Sequence, residues 1–345
     1  MGLQIDGIIF SLQRHGGITV YFRELLSQIA SAPIASRLLL DLPVLQDLSN
    51  LSAQLHVEHR AARPLERFRD CRLTEGATVF HSSYYRRPER LSIPTVVTVH
   101  DFIYERYRRG PQRWAHVHQK HAAIRHAQAL ICISESTRDD LLTWVSVRSD
   151  QTVHVIPNGV SPLFQPLKVA PATRPFALFV GERRGYKNFR LALQALAHIP
   201  DLELHCVGGG TLSSQDFDGI EPALRNRVRH LGFVTDDDLN LAYNQALCLI
   251  YPSSYEGFGI PVVEAMRAGC PVVSIECKAV IEVGGDALER AEAEDSKALA
   301  ESVLRLREDT HRTQKVIAGL KRSEIYDWQR CHKQTLNVYR SLGAV

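Results

Sequence analysis

FALFVGERRGYKNFRLALQALAHIPDLELHCVGGG, residues 176–210, reads as a strand, a loop, a helix and a second strand. FALFV and LELHCV are apolar runs of buried-strand length, and NFRLALQALAHI between them spaces its apolar residues as a helix does. A strand that returns through a helix to its neighbour makes a parallel pair. The same rhythm continues outward on both sides. Downstream come VRHLGFV (228–234), ALCLIYPSS (246–254) and CPVVSI (270–275); upstream come TVFHSS (78–83), TVVTVHD (95–101), ALICIS (129–134) and VHVIPNG (153–159). After Pro166 the rhythm breaks in LKVAPATRP, three prolines within ten residues, which is the best linker in the chain. Two doubly wound α/β domains follow, 1–165 and 166–324.

Length agrees with this division. The chain has 345 residues, enough for two domains of roughly 150 each, and two such domains imply a cleft. A composition of 45% apolar and 23% charged residues excludes a disordered or fibrous chain. No run approaches the roughly 20 apolar residues of a membrane span, and even Leu38 to Val44 is broken by Asp41 and Pro43. Met1 to Phe10 has no basic segment followed by an apolar one, so a cytoplasmic protein is expected. The seven cysteines are scattered, with no C-x-x-C pair. This predicts reduced thiols, most of them small core residues like Cys132 and Cys248, and argues against zinc.

Net charge is only +3, but residues 60–125 hold 14 Lys or Arg against 6 Asp or Glu. Such an excess suits anionic lipid headgroups or a phosphate-bearing acceptor, and equally suits a solvated, arginine-rich surface. Nucleic acid is not expected as a partner, because no nucleic-acid-binding module is recognisable.

In open α/β sheets ligands sit beyond the carboxyl ends of the strands. The most informative loop of that kind is YEGFGIPVVEAMRAGCPVV, 255–273, with Glu256 in the loop and Glu264 eight positions on. Pro261 suits a first helical turn and Gly269 a C-terminal cap, which puts Glu264 on a short helix. Gly257 and Gly259 allow close backbone approach, and the helix start, including Phe258 and Ile260, offers N–H groups and positive dipole charge to a diphosphate. The two carboxylates would repel that diphosphate, so they read as acceptors for sugar and ribose hydroxyls on either side of it.

In FVGERRGYKNF, 179–189, Arg183 and Lys187 form a cationic pair after a strand, suited to the charge that grows on a departing diphosphate. Gly16 and Gly17 precede the helical ITVYFRELLSQIA and again permit close approach of a phosphate or sugar. His100, followed by Asp101, closes the strand TVVTVHD where a substrate would lie. Asp236, Asp237 and Asp238 resemble a metal site but precede a helix, whose start they satisfy without a cation. No G-x-G-x-x-G follows a first strand, and Gly208, Gly209 and Gly210 are a lone triplet, so a nicotinamide dehydrogenase is not supported.

Taken together, GGITVYFREL, VTVHD, IPNGV, VGERRGYKN, YEGFGIPVVEAMRAGCPVV, EVGGDA and YDWQRCHKQTLNVYRSL resemble the retaining family 4 glycosyltransferases of the GT-B fold, over nearly the whole chain. The resemblance implies two Rossmann-like domains facing each other across a cleft, with a last helix near 325–345 returning to the first domain. It implies a metal-free transfer with no cofactor besides the nucleotide-sugar donor. Glu256 then contacts the donor sugar and Glu264 the nucleotide ribose, Arg183 and Lys187 bind the diphosphate, His100 contacts the donor sugar, and Gly17 stands beside the phosphate and acceptor.

The GYKNF variant is similar to bacterial enzymes that use GDP-mannose or a related GDP-sugar in lipopolysaccharide and O-antigen assembly. This implies a saccharide or lipid-linked oligosaccharide acceptor, with peripheral membrane contact. Two departures stand out: Glu276, Cys277 and Lys278 replace small polar residues, and Arg184 can substitute for Arg183. A GT-B sugar-nucleotide epimerase would form product without acceptor, and a sugar-nucleotide-binding scaffold would bind donor and transfer nothing.

Overall fold

The computed structural model describes residues 2–14, 16–32, 34–49, 55–170 and 172–344. The chain forms two compact units, Met1–Gly159 with Trp328–Val345, and Val160–Asp327. Each is an α/β unit built on one wholly parallel sheet.

The first sheet has the order β3-β2-β1-β4-β5-β6-β7. Its strands are β1 (Leu3–Asp6), β2 (Ser36–Leu40), β3 (His56–His59), β4 (Val79–Ser82), β5 (Thr95–Val99), β6 (Ala129–Cys132) and β7 (Thr152–Val155). Leu3, Ile5, Val79, Val96 and Ile131 pack beneath Phe22, Leu25 and Leu26 of the helix Gly17–Ile29. Trp328, Val338 and Tyr339 of the helix Trp328–Ser341 complete the same core. That last helix is tethered by polar contacts as well. His81 Nδ1 lies 2.6 Å from the Tyr339 hydroxyl, and His81 Nε2 lies 3.0 Å from Thr98 Oγ1.

The second sheet has the order β10-β9-β8-β11-β12-β13. It comprises β8 (Phe176–Val180), β9 (Glu203–Val207), β10 (Val228–Gly232), β11 (Cys248–Tyr251), β12 (Val272–Ser274) and β13 (Glu289–Arg290). Ala177, Phe179, Leu204 and Ile250 meet Leu193 and Leu196 of the helix Phe189–Ala197, and Leu299 and Val303 of the helix Ser296–Arg305. All seven cysteines are free and buried. No described helix is long and apolar enough to cross a membrane.

The chain crosses between units at 159/160 and 327/328, not at 165/166 and 324/325. The proline-rich segment after Pro166 lies within the second unit, because its backbone is stapled to the helix Asp236–Gln245. Gln165 N donates to Asn240 Oδ1 at 3.1 Å and Leu167 N to Asn244 Oδ1 at 2.6 Å. Pro171 of that segment is outside the described residues. At the actual crossing Val160 N donates to Tyr326 O at 3.3 Å. A Cβ added to Gly159 would stand 2.2 Å from Trp328 N, so only glycine lets the two passing strands of chain approach so closely.

The excess of cations between residues 60 and 125 is largely used internally. Arg86 is fully buried and binds Asp6, Asp41 and Glu66, while Arg60 and Arg72 also reach Asp41. Arg63, Arg87, Arg106 and Lys120 pair with Glu66, Asp70, Asp140 and Glu105. Arg69, Arg90, Arg106, Arg108, Arg109 and Arg125 remain exposed, and of these Arg106 pairs with Asp140.

Candidate functional site

In the second unit the sheet order reverses between β8 and β11, so the loops that follow these two strands leave toward opposite faces and open a crevice at their carboxyl ends. Lys187 comes from the loop after β8 and Glu256 from the loop after β11. They meet: Lys187 Nζ donates to Glu256 Oε1 at 2.6 Å and to the Tyr251 hydroxyl at 3.1 Å.

The loops are stapled by their backbones. Ser254 N donates to Tyr186 O at 2.9 Å, and Asn188 Nδ2 to Pro252 O at 3.0 Å. Lys187 and Glu256 are both largely shielded, with side-chain exposures of 13% and 9%. A pair so shielded interacts more strongly than one at the surface, and each partner leaves a costly charge behind if the other is removed. Burial and the neighbouring Glu256 hold the Tyr251 hydroxyl well above its ordinary pKa, so it stays neutral and donates or accepts as needed.

Directly after Glu256, Gly259 adopts φ 101°, a left-handed conformation, and caps the helix Ile260–Arg267 with Pro261 in its first turn. Gly269 closes that helix at φ 78°. Gly257 and Phe258 are buried and Ile260 half-buried. The Phe258 ring packs edge-on against Tyr326 at 5.4 Å, so its side chain belongs to the core and only its backbone is available to a ligand.

Glu264, on the same helix, does not join the Lys187 pair. Its Oε2 accepts from the Tyr243 hydroxyl at 3.1 Å. Burial pushes its carboxyl up to about 7, with the charge of Asp236 adding to the effect and the Tyr243 bond opposing it. Asp236, Asp237 and Asp238 form the first turn of their helix, where Thr235 accepts from Asp238 N.

Arg183 departs furthest from its expected place. It is buried, and its guanidinium donates to Gly208 O at 2.8 Å, Gly210 O at 2.7 Å and Thr211 O at 3.1 Å. A free cation beside Lys187 was the expectation. The triplet Gly208, Gly209, Gly210 turns back over the loop and presents carbonyls that only a forked donor can satisfy together. The neighbouring Arg184 is exposed. Glu276 and Lys278 are exposed, while Cys277 is buried and its thiol is raised to about 11 by that burial.

In the first unit His100 follows β5 and is buried. Tyr21 meets its ring edge-on at 5.2 Å. Tyr21 lies one turn into the helix that begins at Gly17, so the glycine pair and His100 share one neighbourhood. Gly16 is half-buried and Gly17 exposed. Burial, reinforced by Lys120, lowers the His100 pKa to about 3, so the ring is neutral, and its Nε2 has no partner among the described residues.

Sequence reasoning missed Tyr251 and Tyr243, the hydroxyl partners of Lys187 and Glu264. The only signal for Tyr251 is its place at the end of the apolar run ALCLIY.

Two family models match in succession: Glycosyltransferase Family 4 over residues 15–162, and Glycosyl transferases group 1 over residues 164–322. The chain belongs to these glycosyltransferases. Among its relatives is the O-antigen chain mannosyltransferase B of Escherichia coli, 29% identical over 286 residues that span 76% of this chain and 74% of the relative. Another is the MMP α-(1→4)-mannosyltransferase of Mycolicibacterium hassiacum, 28% identical over 271 residues, 72% of this chain and 66% of the relative.

Solved structures share the fold of this glycosyltransferase across almost its entire length. Sucrose-phosphate synthase from Thermosynechococcus elongatus superposes with a TM-score of 0.79 at 20% identity, covering 99% of this chain and 98% of the other. WaaG, a glycosyltransferase involved in lipopolysaccharide biosynthesis, gives 0.73 at 16% identity, covering 98% and 99%. The glycosyltransferase therefore has the GT-B architecture of two Rossmann-like units.

Proposed function

We propose that this glycosyltransferase moves mannose or a closely related hexose from a GDP-linked donor to a hydroxyl of a saccharide or lipid-linked saccharide. The second unit takes the donor and the first the acceptor. The observation that carries this reading is the Lys187–Glu256 pair at the switch point of the second sheet, beside the glycine-capped helix start at Ile260. The mannosyltransferase relatives support the sugar.

On donor binding Lys187 turns to the diphosphate together with the N–H groups at 257–260, and Glu256 is released to accept from a sugar hydroxyl. Glu264 accepts from the ribose hydroxyls, and His100 uses its open Nε2 toward the donor sugar. Transfer proceeds with retention by a same-face displacement and needs no bound metal or further cofactor. The bond from the anomeric carbon to the diphosphate oxygen breaks as the acceptor oxygen bonds to that carbon. The acceptor proton passes to the departing diphosphate, whose charge Lys187 and the helix start stabilise. A covalently trapped sugar on any side chain would refute this path.

We place the enzyme in the cytoplasm, peripheral to the inner face of the membrane. Exposed Arg108 and Arg109, a few residues before Trp114 in the sequence, and Trp114 itself, 69% exposed, support this placement. Sedimentation with anionic vesicles should show binding that salt abolishes, and an absence of binding removes the membrane contact.

The deciding experiment is turnover of GDP- and UDP-linked hexoses, with and without a saccharide acceptor. Preferential, acceptor-dependent use of GDP-mannose is expected. Equal use of a UDP-sugar removes the GDP assignment, and product formation without acceptor indicates an epimerase.

A further inference from the structure

Arg183 holds a turn. The three glycines after β9 all have positive φ, 78° at Gly208, 72° at Gly209 and 74° at Gly210, a run that side chains with a Cβ do not sustain. The carbonyls of Gly208, Gly210 and Thr211 converge on one guanidinium, and the Gly208 oxygen accepts as well from His230 Nε2 at 3.1 Å. Asp216 stands 3.7 Å from Arg183 Nε, an ion pair without a hydrogen bond.

In a trans peptide the N–H points opposite to the carbonyl. Drawing these carbonyls onto Arg183 therefore turns the N–H groups of Gly209, Thr211 and Leu212 away from it. None of these groups donates to another described residue. The turn reaches solvent, with Gly210 and Thr211 exposed. It also borders the crevice: a Cβ on Gly208 would lie 3.8 Å from Gly181 Cα, and one on Gly181 would lie 3.9 Å from Lys187 Nζ. Unpartnered N–H groups of a turn, here Gly209 and the consecutive pair Thr211 and Leu212, can form a concave site for anionic oxygen.

We propose that Arg183 is a positioning residue that latches this turn open, so that its N–H groups, and not the guanidinium itself, take phosphate oxygens of the donor beside Lys187. This rests on the reading of the second unit as the donor-binding unit. Arg183, its guanidinium taken up by carbonyls, acts through the backbone.

The test is calorimetric binding of GDP and guanosine to wild type, Arg183→Lys, Gly209→Ala and Arg184→Ala at low and high salt, with thermal melting to confirm folding. Lysine keeps the charge but not the fork. A Cβ at Gly209 would come within 2.8 Å of the Arg183 guanidinium and of Gly181 O, so it disturbs the latch without altering charge. Arg183→Lys and Gly209→Ala should each weaken GDP about tenfold, leave guanosine unchanged, and keep the wild-type salt dependence. Arg184→Ala should weaken GDP less and flatten the salt dependence.

In ligand-free wild type the Arg183 guanidinium N–H signals should be individually resolved by NMR and should stay in place when GDP is added. Arg183→Lys binding GDP within twofold of wild type overturns the proposal. So does a flattened salt dependence in that variant, an equal loss on guanosine, or a large shift of the Arg183 signals on adding GDP. Failure of wild type to bind GDP or UDP defeats the nucleotide reading and the proposal with it.

Discussion

Lys187 Nζ and Glu256 Oε1 lie 2.6 Å apart, joined across the switch point of the second sheet. Each neutralises the other in the ligand-free protein, so the cost of holding either charge in a shielded crevice is offset before the donor arrives. In the proposed reaction the donor replaces this one ion pair with two charge-assisted contacts.

In the proposed reaction Lys187 meets the diphosphate and Glu256 the sugar, so their losses should differ in kind. Lys187→Ala should weaken donor binding by roughly 30- to 100-fold, the loss of one charge-assisted contact plus an unpaired Glu256. Glu256→Ala should lower kcat by more than it raises KM for the donor. In the double variant the losses should be smaller than the sum of the two, as for any pair in direct contact. Steady-state kinetics with donor varied at saturating acceptor check all three.

Glu264 sets a pH dependence whose sign is opposite to that of most carboxylates. Its pKa is raised by burial to about 7, so between the ordinary carboxyl range and about 7 the folded protein keeps a proton that the unfolded chain releases. The resulting stabilisation is fully present at low pH and is lost as pH rises through about 7. Denaturant titrations at about pH 5 and pH 8 should show wild type losing roughly 1–2 kcal/mol relative to Glu264→Gln over that interval. Donor affinity should rise in wild type as Glu264 ionises and becomes a pure acceptor, and this rise should be absent in Glu264→Gln.

The buried Arg86 takes two oxygens of Asp6, at 2.6 and 3.0 Å, across the switch point of the first sheet. Asp6→Asn removes the two-oxygen contact but leaves Arg86 with Asp41 and Glu66, so it should destabilise the first unit by about 1–3 kcal/mol. Thermal or chemical unfolding followed by circular dichroism measures this.

Gly159→Ala tests the crossing between units. The added methyl meets Trp328 backbone atoms, which cannot swing aside. A loss of about 2–4 kcal/mol is expected, larger than the few tenths typical of an exposed loop. The same unfolding assay checks it.

The parallel sheets were legible in the alternation of apolar runs: each run from TVFHSS to CPVVSI contains a strand. The edge strands β3 and β13 were not, because His56–His59 and Glu289–Arg290 are short and polar and owe their conformation to a single neighbour. The glycine-capped helix at Ile260 could be read from Pro261 and Gly269, whose conformational demands are local. Arg183 could not, since whether a guanidinium faces a ligand or its own chain depends on a turn 25 residues away in sequence. The 159/160 crossing was misread for a related reason: prolines announce irregular backbone, but the asparagines that pin that backbone to the second unit lie more than 70 residues further along.

The first unit borrows its closing helix from the far end of the chain. Residues Trp328–Ser341 emerge from the ribosome only after the whole second unit has been made. Until then the pocket that receives Trp328 and Tyr339 stands open, and His81 Nδ1 lacks the Tyr339 hydroxyl. The unit translated first is thus the one that finishes folding last, and a nascent chain arrested before Trp328 exposes apolar surface for chaperones to shield.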